Sequence, residues 1–83
     1  MKRVTYQSAA LKVLRRMPAK QRELIEAKVQ AYATEPAKVA NNVVKLQDRP
    51  GFRLRVGDWR VIFEETATEI DVVAVGPRGS VYR

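Results

Sequence analysis

Three closely spaced arginines are the side chains whose type and spacing most directly suggest chemistry. Arg53, Arg55 and Arg60 lie in the stretch Gly51–Glu65, which alternates apolar and polar residues on both sides of Gly57-Asp58. Such alternation predicts two strands joined by a two-residue turn, and glycine in the first turn position favours type II′. Guanidinium groups bind phosphate through paired hydrogen bonds and stay charged at any working pH, so a cluster of them suits a phosphate ligand.

The two-residue turn also fixes which residues face one another across the predicted hairpin. The expected pairs are Val56 with Trp59, Arg55 with Arg60, Leu54 with Val61, Arg53 with Ile62 and Phe52 with Phe63. Because side chains alternate along a strand, one face collects the apolar residues and forms the core, while the arginines share the other face. Like charges directly opposite each other destabilise a sheet, so the pair Arg55 and Arg60 favours an anion bound between them.

The composition predicts one small basic domain. The chain has 83 residues, of which 46% are hydrophobic, and this is enough for a modest core. Sixteen Lys and Arg against nine Asp and Glu give a net charge of +7. That excess indicates a polyanionic partner, either a nucleic acid or an acidic protein, with a membrane surface less favoured.

The absence of Cys and His from the sequence excludes several classes of function. Disulfides, thiolate metal sites and nucleophilic catalysis by Ser-His or Cys-His pairs are all ruled out, and we expect neither a metal nor another cofactor. Acid–base chemistry would have to use Lys, Arg, Tyr or a carboxylate. No apolar stretch is long enough for a signal peptide or a membrane span, so the sequence predicts a cytoplasmic protein without a membrane partner.

Periodicity and turn residues predict the remaining elements. In chain order we expect a strand at Lys2–Thr5, a helix at Ala9–Met17 capped by Ser8, a second helix at Ala19–Thr34, a loop at Ala37–Asn42, a short extension at Val43–Gln47 and, after the hairpin, a strand at Ile70–Val75. The prediction is a single α+β domain over residues 1–83 with the order β-α-α-β-β-β. Its two-helix hairpin packs on one face of a small, mostly antiparallel sheet.

The same patterns assign individual side chains to the core or to solvent. We expect Met17, Leu24 and Trp59 to lie on apolar faces, and Glu64 and Glu65 to be solvated.

A four-residue connection at Thr66–Glu69 pairs the strand at Ile70–Val75 with the second strand of the hairpin. The pairs that follow are Phe63 with Val72, Val61 with Ala74 and Arg60 with Val75.

The end of the third strand adds two residues to the arginine cluster. The predicted register puts that end beside the Gly57-Asp58 turn, so Arg78 and Tyr82 leave the sheet close to Arg60. Arginines around one concavity can hold a scissile phosphate and stabilise the charge that develops on it. Tyr82 can stack on a base or transfer a proton; alternatively, its ring packs over the edge of the sheet.

With these residues in place, the sequence resembles the RelE/ParE superfamily of toxins from bacterial and archaeal toxin–antitoxin pairs. The resemblance covers nearly the whole chain through its order of strand, two helices and three strands. It rests on two motifs, Phe52–Phe63 with its basic alternation, Gly-Asp turn and Trp-Arg pair, and Val75–Arg83 with Arg78 followed by Tyr82. Some members carry a Lys at the position of Gly51, and others use a His–Glu pair that a chain without His lacks.

The resemblance implies a metal-independent endoribonuclease that cuts mRNA in the ribosomal A site and is silenced by a cognate antitoxin. In RelE-like members the 2′-hydroxyl attacks the adjacent phosphate, leaving a 2′,3′-cyclic phosphate and a free 5′-hydroxyl. By position, Arg53 matches a basic residue that accepts a proton or stabilises charge, and Arg60 matches the arginine that grips the phosphate. Arg78 matches the residue that stabilises the transition state or protonates the leaving group. Tyr82 matches the tyrosine that stacks on the nucleotide. Further RNA-binding residues are expected at Lys45, Arg55 and Arg83.

Two other classes of function fit the same sequence. A ParE-like toxin that poisons DNA gyrase without nuclease activity would use the same fold, since one scaffold hosts both activities. In that case the arginines would form a solvated or partner-binding face. The third class is a basic RNA-binding or protein-binding module without toxicity. Arg60 together with the C-terminal pair Arg78 and Tyr82 favours the nuclease.

The stacking role of Tyr82 can be tested by comparing two substitutions. If the ring stacks on a base, Tyr82→Phe retains the stacking surface and lowers toxicity less than Tyr82→Ala does. Growth arrest after induction measures both variants. Equal losses would contradict stacking and assign the role to the hydroxyl.

Overall fold

Five strands and two helices make up the fold, seen in a computed structural model that describes residues 1–79. The elements are β1 (Arg3–Tyr6), α1 (Ser8–Arg16), α2 (Ala19–Thr34), a 3₁₀ helix (Pro36–Asn42), β2 (Val43–Lys45), β3 (Phe52–Val56), β4 (Trp59–Glu65) and β5 (Glu69–Pro77). The strands form one sheet in the order β1-β5-β4-β3-β2, in which β1 is parallel to β5 and the other pairs are antiparallel. The predicted α+β class is confirmed, with β2 as an additional edge strand.

The hairpin of β3 and β4 has the register that the sequence predicts. All five pairs are present, from Val56 opposite Trp59 at the turn to Phe52 opposite Phe63 at the far end. Gly57 has a φ of +59°, whereas no residue other than glycine has a positive φ within residues 1–79. A positive φ at the first turn position alone is the pattern of a type II′ turn. The turn therefore sets both the twist and the register of the hairpin.

The pairing of β4 with β5 agrees with the prediction at one end only. Phe63 faces Val72 as expected, but Val61 faces Val75 and Arg60 faces Gly76, one residue further along than predicted. The cause is a β-bulge between Ile62 and Phe63, where β5 contributes one extra residue to the ladder. Periodicity cannot reveal such an insertion, because the residues on both sides of it still alternate.

Both helices cover the apolar face of the sheet and enclose the core. The buried cluster includes Leu14 and Met17 from the first helical region and Leu54, Val61 and Phe63 from the hairpin. The confirmed burial of Met17 places the end of α1 against the sheet. Trp59 is half-buried against this cluster, and its indole N–H donates a 3.0 Å hydrogen bond to Oε1 of Gln21 in α2.

Two predictions about the helices are wrong. Leu24 is 59% exposed, because α2 buries Ile25, Val29 and Ala33 instead. These three residues repeat every four positions and so form one stripe, from which the adjacent Leu24 is turned away by about 100°. Ser8 is the first helical residue, and Gln7 occupies the N-cap with extended backbone and no side-chain capping bond. Neither α1 nor α2, in the part of the chain described, is long and apolar enough to cross a membrane.

Glu65 is not solvated as predicted; at the end of β4 it links this strand to α2 and to the residue before β1. Its carboxylate accepts hydrogen bonds from Nζ of Lys2, before β1, and from the hydroxyl of Tyr32 in α2 at 2.9 Å. Glu64, the next residue along β4, is exposed as expected. Burial, followed by the hydrogen bond and charge of Glu65, raises the pKa of Tyr32 to about 12. The neutral phenol is therefore the form that the folded protein favours.

Replacing Tyr32 by Phe tests this contact. We expect Tyr32→Phe to lower the free energy of unfolding by about 1 kcal/mol at neutral pH, since the bond to a carboxylate is lost at a partly exposed site. The phenol of the unfolded chain ionises near pH 10 and that of the folded chain near pH 12. The contribution of neutral Tyr32 to the free energy of unfolding is therefore complete below pH 10 and disappears between pH 10 and 12. Urea denaturation across this range measures both effects.

Tyr6→Phe is the matched control for this experiment. Tyr6 is also packed against the core, and burial together with the charge of Glu26 raises its pKa to about 12. Within residues 1–79, however, its hydroxyl has no hydrogen-bond partner like Glu65. Removing it should change stability at neutral pH far less than Tyr32→Phe, and equal losses would contradict a stabilising bond between Tyr32 and Glu65.

Candidate phosphate-binding site

The outer face of the sheet, opposite the helices, carries a shallow pocket of about 190 Å³. The arginines Arg53, Arg55 and Arg60 line it together with Asn41, Asn42 and Val44. The structure therefore brings together the three hairpin arginines that the sequence places on one face. It adds two carboxamides and one apolar side chain from the segment that precedes β3.

Strand pairing explains why five of these six residues meet, all except Asn41. Val43 faces Leu54 and Val44 faces Arg53, so Asn42 comes beside Arg55 at the start of β2. Arg55 in turn faces Arg60 across the hairpin. Asn42, Arg55 and Arg60 thus lie side by side on neighbouring strands, which are about 4.8 Å apart. Arg53 and Val44 occupy the next position on the same face, two residues along their strands.

The Arg60 side chain is held by the backbone of the turn beside it. Its Nη1 donates to the carbonyl oxygens of Gly57 at 2.9 Å and of Trp59 at 3.0 Å. Both bonds use one nitrogen, and the guanidinium has donors on Nε and Nη2 for a ligand. Arg60 is therefore oriented in advance, which lowers the entropic cost of ordering this side chain around a phosphate.

The charged side chains that line the pocket among the described residues are all arginines. Three guanidinium groups line it, and no carboxylate of residues 1–79 does so. The pairs Lys2–Glu65, Arg3–Glu69 and Lys38–Glu35 lie outside the pocket. Since Arg55 and Arg60 are directly opposed, a bound anion would relieve their mutual repulsion. The arrangement is suited to a phosphate held by several cations.

Of the other predicted site residues, the two that the structure describes, Arg78 and Lys45, do not line the pocket. Arg78 is exposed and leaves the sheet just after Gly76, the residue opposite Arg60; its backbone N–H donates to the carbonyl of Asp58 at 2.7 Å. Lys45 faces Phe52 in the β2–β3 ladder, which puts it on the helix side of the sheet, away from the arginines. Tyr82 and Arg83 lie outside the described residues.

Sequence reasoning missed the two asparagines of this site. Asn41 and Asn42 end the 3₁₀ helix at Pro36–Asn42, where the sequence predicts a loop. The available signal was an Asn-Asn pair immediately before a short β-branched run, Val43-Val44. Only the antiparallel pairing of that run with β3 brings the amides to the arginines. No group of three or more acidic, His or Cys side chains that could hold a metal ion occurs within residues 1–79.

Comparison with known proteins finds a family and several similar structures. Residues 4–82 match the model of the family described as ParE toxin of type II toxin–antitoxin system, parDE. No curated protein sequence shows significant similarity. The archaeal RelE–RelB complex from Pyrococcus horikoshii OT3 contains a chain that is 25% identical, with a TM-score of 0.78, over 95% of this chain and 97% of that one.

Two more distant structures share the fold. The intact Escherichia coli RelBE toxin–antitoxin complex contains a chain with 22% identity and a TM-score of 0.74, over 93% of this chain and 96% of that one. The RelB–RelE antitoxin–toxin complex from Methanococcus jannaschii contains one with 20% identity and a TM-score of 0.72, over 92% of both chains. The likeness therefore extends over nearly the whole length of each chain.

The pocket predicts a specific effect of Arg60 on binding of single-stranded RNA. We expect Arg60→Ala to lower the affinity for a ten-nucleotide RNA about tenfold or more, since a charge-assisted contact is lost. The slope of log affinity against log salt should also become shallower by about 0.7, the value for one phosphate contact on a single strand. Fluorescence anisotropy over a salt series measures both quantities.

Lys45→Ala is the matched control, because it removes one positive charge from the helix side of the sheet. It should leave the affinity close to that of the wild type. A loss equal to that of Arg60→Ala would show that net charge governs binding and would contradict a localised phosphate site.

Proposed function

This chain belongs to the family of ParE toxins of type II toxin–antitoxin systems, and from that premise we propose that it is a ribosome-dependent endoribonuclease. It cleaves mRNA in the ribosomal A site and so inhibits translation. The observation that carries the proposal is the pocket in which Arg53, Arg55 and Arg60 converge. Such a pocket fits an RNA phosphate, and strand pairing holds its residues on a rigid sheet.

The proposed reaction is an internal transfer at phosphorus. The oxygen of the ribose 2′-hydroxyl attacks the adjacent phosphorus and loses its proton to a base. The bond from phosphorus to the 5′-oxygen breaks, and that oxygen takes up a proton. The products are a 2′,3′-cyclic phosphate and a free 5′-hydroxyl, and no metal is required. Negative charge builds up on the phosphate oxygens during the attack, where fixed cations are most effective.

Each arginine of the pocket has a separate role in this proposed reaction, according to its position. Arg60, fixed by the Gly57 and Trp59 carbonyls, grips the scissile phosphate. Arg53 stabilises the developing charge; it does not serve as the base, because arginine keeps its proton in proteins. Arg55, directly opposite Arg60, binds an adjoining phosphate oxygen.

Three residues near the C-terminus complete the proposed site. Arg78 leaves the sheet beside the turn and reaches the leaving group from there, either stabilising its charge or giving it a proton. Tyr82 stacks on the nucleotide and orients it. Arg83 adds a contact to the RNA backbone, whereas Lys45, on the other side of the sheet, does not belong to this group.

Besides the ribosome and its mRNA, we propose a cognate antitoxin as a partner of this chain. The similar chains from Pyrococcus horikoshii, Escherichia coli and Methanococcus jannaschii are in complexes of RelE with RelB. A net charge of +7 favours an acidic, amphipathic segment that folds as it binds. Since its proposed substrate is mRNA on a translating ribosome, we place the protein in the cytoplasm.

Gyrase poisoning is the alternative function, and one observation favours it. The family model that matches residues 4–82 is described by the ParE toxin of parDE systems, and ParE-like toxins act on DNA gyrase. For a gyrase poison the arginine pocket would contact a protein or DNA surface and perform no chemistry. The two functions therefore differ in what the same three arginines touch.

Cell-free translation of an end-labelled mRNA separates these functions. We expect wild-type protein to cut the message only while ribosomes translate it. Arg60→Ala and Arg78→Ala should each reduce cutting by about 10²–10³-fold, the usual effect of removing one preorganised charge. Lys28→Ala, which removes an exposed charge from α2, is the control and should cut like the wild type.

The same preparations should be tested for gyrase-dependent DNA cleavage. Intact mRNA together with stabilised gyrase–DNA breaks would overturn the nuclease and establish the ParE-like function. Absence of both activities would leave a basic binding module. Full cutting by Arg60→Ala would contradict the assigned site even if the wild type is a nuclease.

A further inference from the structure

We propose that Asn41 and Asn42 form a base-reading subsite that makes the pocket discriminate between nucleotides. This inference rests on the proposed nuclease function and extends it from phosphate binding to substrate selection. It starts from an imbalance in the pocket: three arginines are sufficient to hold phosphate, yet two carboxamides line the same concavity. Neutral amides add little to phosphate affinity, whereas their paired donor and acceptor suit a base edge.

The strand order places the amides at a suitable distance from the phosphate. Asn42 precedes β2, Arg55 lies on β3 and Arg60 on β4, so the amide and the phosphate-gripping arginine are two strand spacings apart, about 10 Å. An RNA phosphate held at Arg60 leaves its neighbouring base free to extend across β3 toward β2. The β2 edge is therefore the side of the pocket where a base would be read.

The hydrogen bonding of the two amides leaves them able to bind a ligand. Nδ2 of Asn42 donates to the Arg55 carbonyl at 3.5 Å, a long bond that orients the side chain and leaves its Oδ1 as an acceptor. Asn41 is exposed, and its carboxamide has no hydrogen bond within residues 1–79. Val44, 51% exposed, adds an apolar surface against which the face of a base can lie.

The chemistry of the subsite favours adenine in a single strand. A carboxamide places an N–H donor beside a C=O acceptor, and adenine presents the complementary amino group and ring nitrogen on both its Watson–Crick and its Hoogsteen edge. RNA bases are accessible to such readout when unpaired, as in a message threaded through a binding groove. A good bidentate contact is worth about 1–3 kcal/mol of discrimination, which is about fivefold or more.

Mapping of cut sites tests the inference within the nuclease reaction. An mRNA with a randomised coding stretch is translated in the cell-free system, and the 5′-hydroxyl ends are sequenced. We expect the wild type to favour adenine next to the cut by about fivefold or more. Asn41→Ala, Asn42→Ala and the double variant should flatten that preference among the cuts that each still makes.

Gln47→Ala is the matched control, since it removes an exposed carboxamide that does not line the pocket. It should retain the preference of the wild type. Unchanged base preference in the double asparagine variant would overturn the inference, although the nuclease itself would stand. Thermal unfolding of each variant distinguishes loss of readout from loss of fold.

A binding experiment tests the subsite independently of cleavage. If the wild type cuts no message, the proposed function fails, and the affinities for ten-nucleotide oligo(A) and oligo(U) decide the inference alone. We expect wild-type protein to prefer oligo(A) and the double variant to bind both equally. Equal affinities in the wild type would overturn the subsite. Loss of antitoxin binding by the double variant, with its base preference intact, would instead assign the amides to a protein interface.

Discussion

The register of the β3–β4 hairpin is the constraint on which the rest of this structure depends. Gly57 takes a positive φ that few other residues adopt, and this closes the turn in two residues. A shift of one residue would turn one strand over relative to the other, bringing Arg55 or Arg60 into the core and moving Leu54 or Val61 to the surface. Burial of the apolar set therefore enforces the convergence of the arginines.

Two arginines directly opposite each other repel, and this repulsion destabilises the sheet. Arg55 and Arg60 face each other directly, and the described part of the pocket supplies no carboxylate to neutralise them. The turn carbonyls of Gly57 and Trp59 accept hydrogen bonds from Arg60 and so hold one guanidinium in place. An anion bound between Arg55 and Arg60 would relieve their mutual repulsion.

The two faces of the sheet differ: one packs against the helices and the other carries the arginine pocket. Helices α1 and α2 bury the inner face, and Glu65, at the end of β4, forms hydrogen bonds with Lys2 and Tyr32. The outer face is left for the pocket, whose wall comes from β2 and the 3₁₀ helix before it. Because the pocket lies on paired strands, its geometry follows from backbone hydrogen bonds. Substitutions of its side chains can therefore alter binding without removing the core.

The sequence by itself determined the hairpin, the face that each arginine occupies and the α+β order, because alternation and a two-residue turn are local signals. It could not determine the bulge at Ile62–Phe63, since an extra residue in β5 leaves the alternation on either side intact. Nor could it place Asn41 and Asn42, which reach the arginines only because a three-residue strand pairs with β3. Long-range pairing and the choice of buried stripe on α2 depend on energies summed over the whole core, and only the tertiary structure decides them.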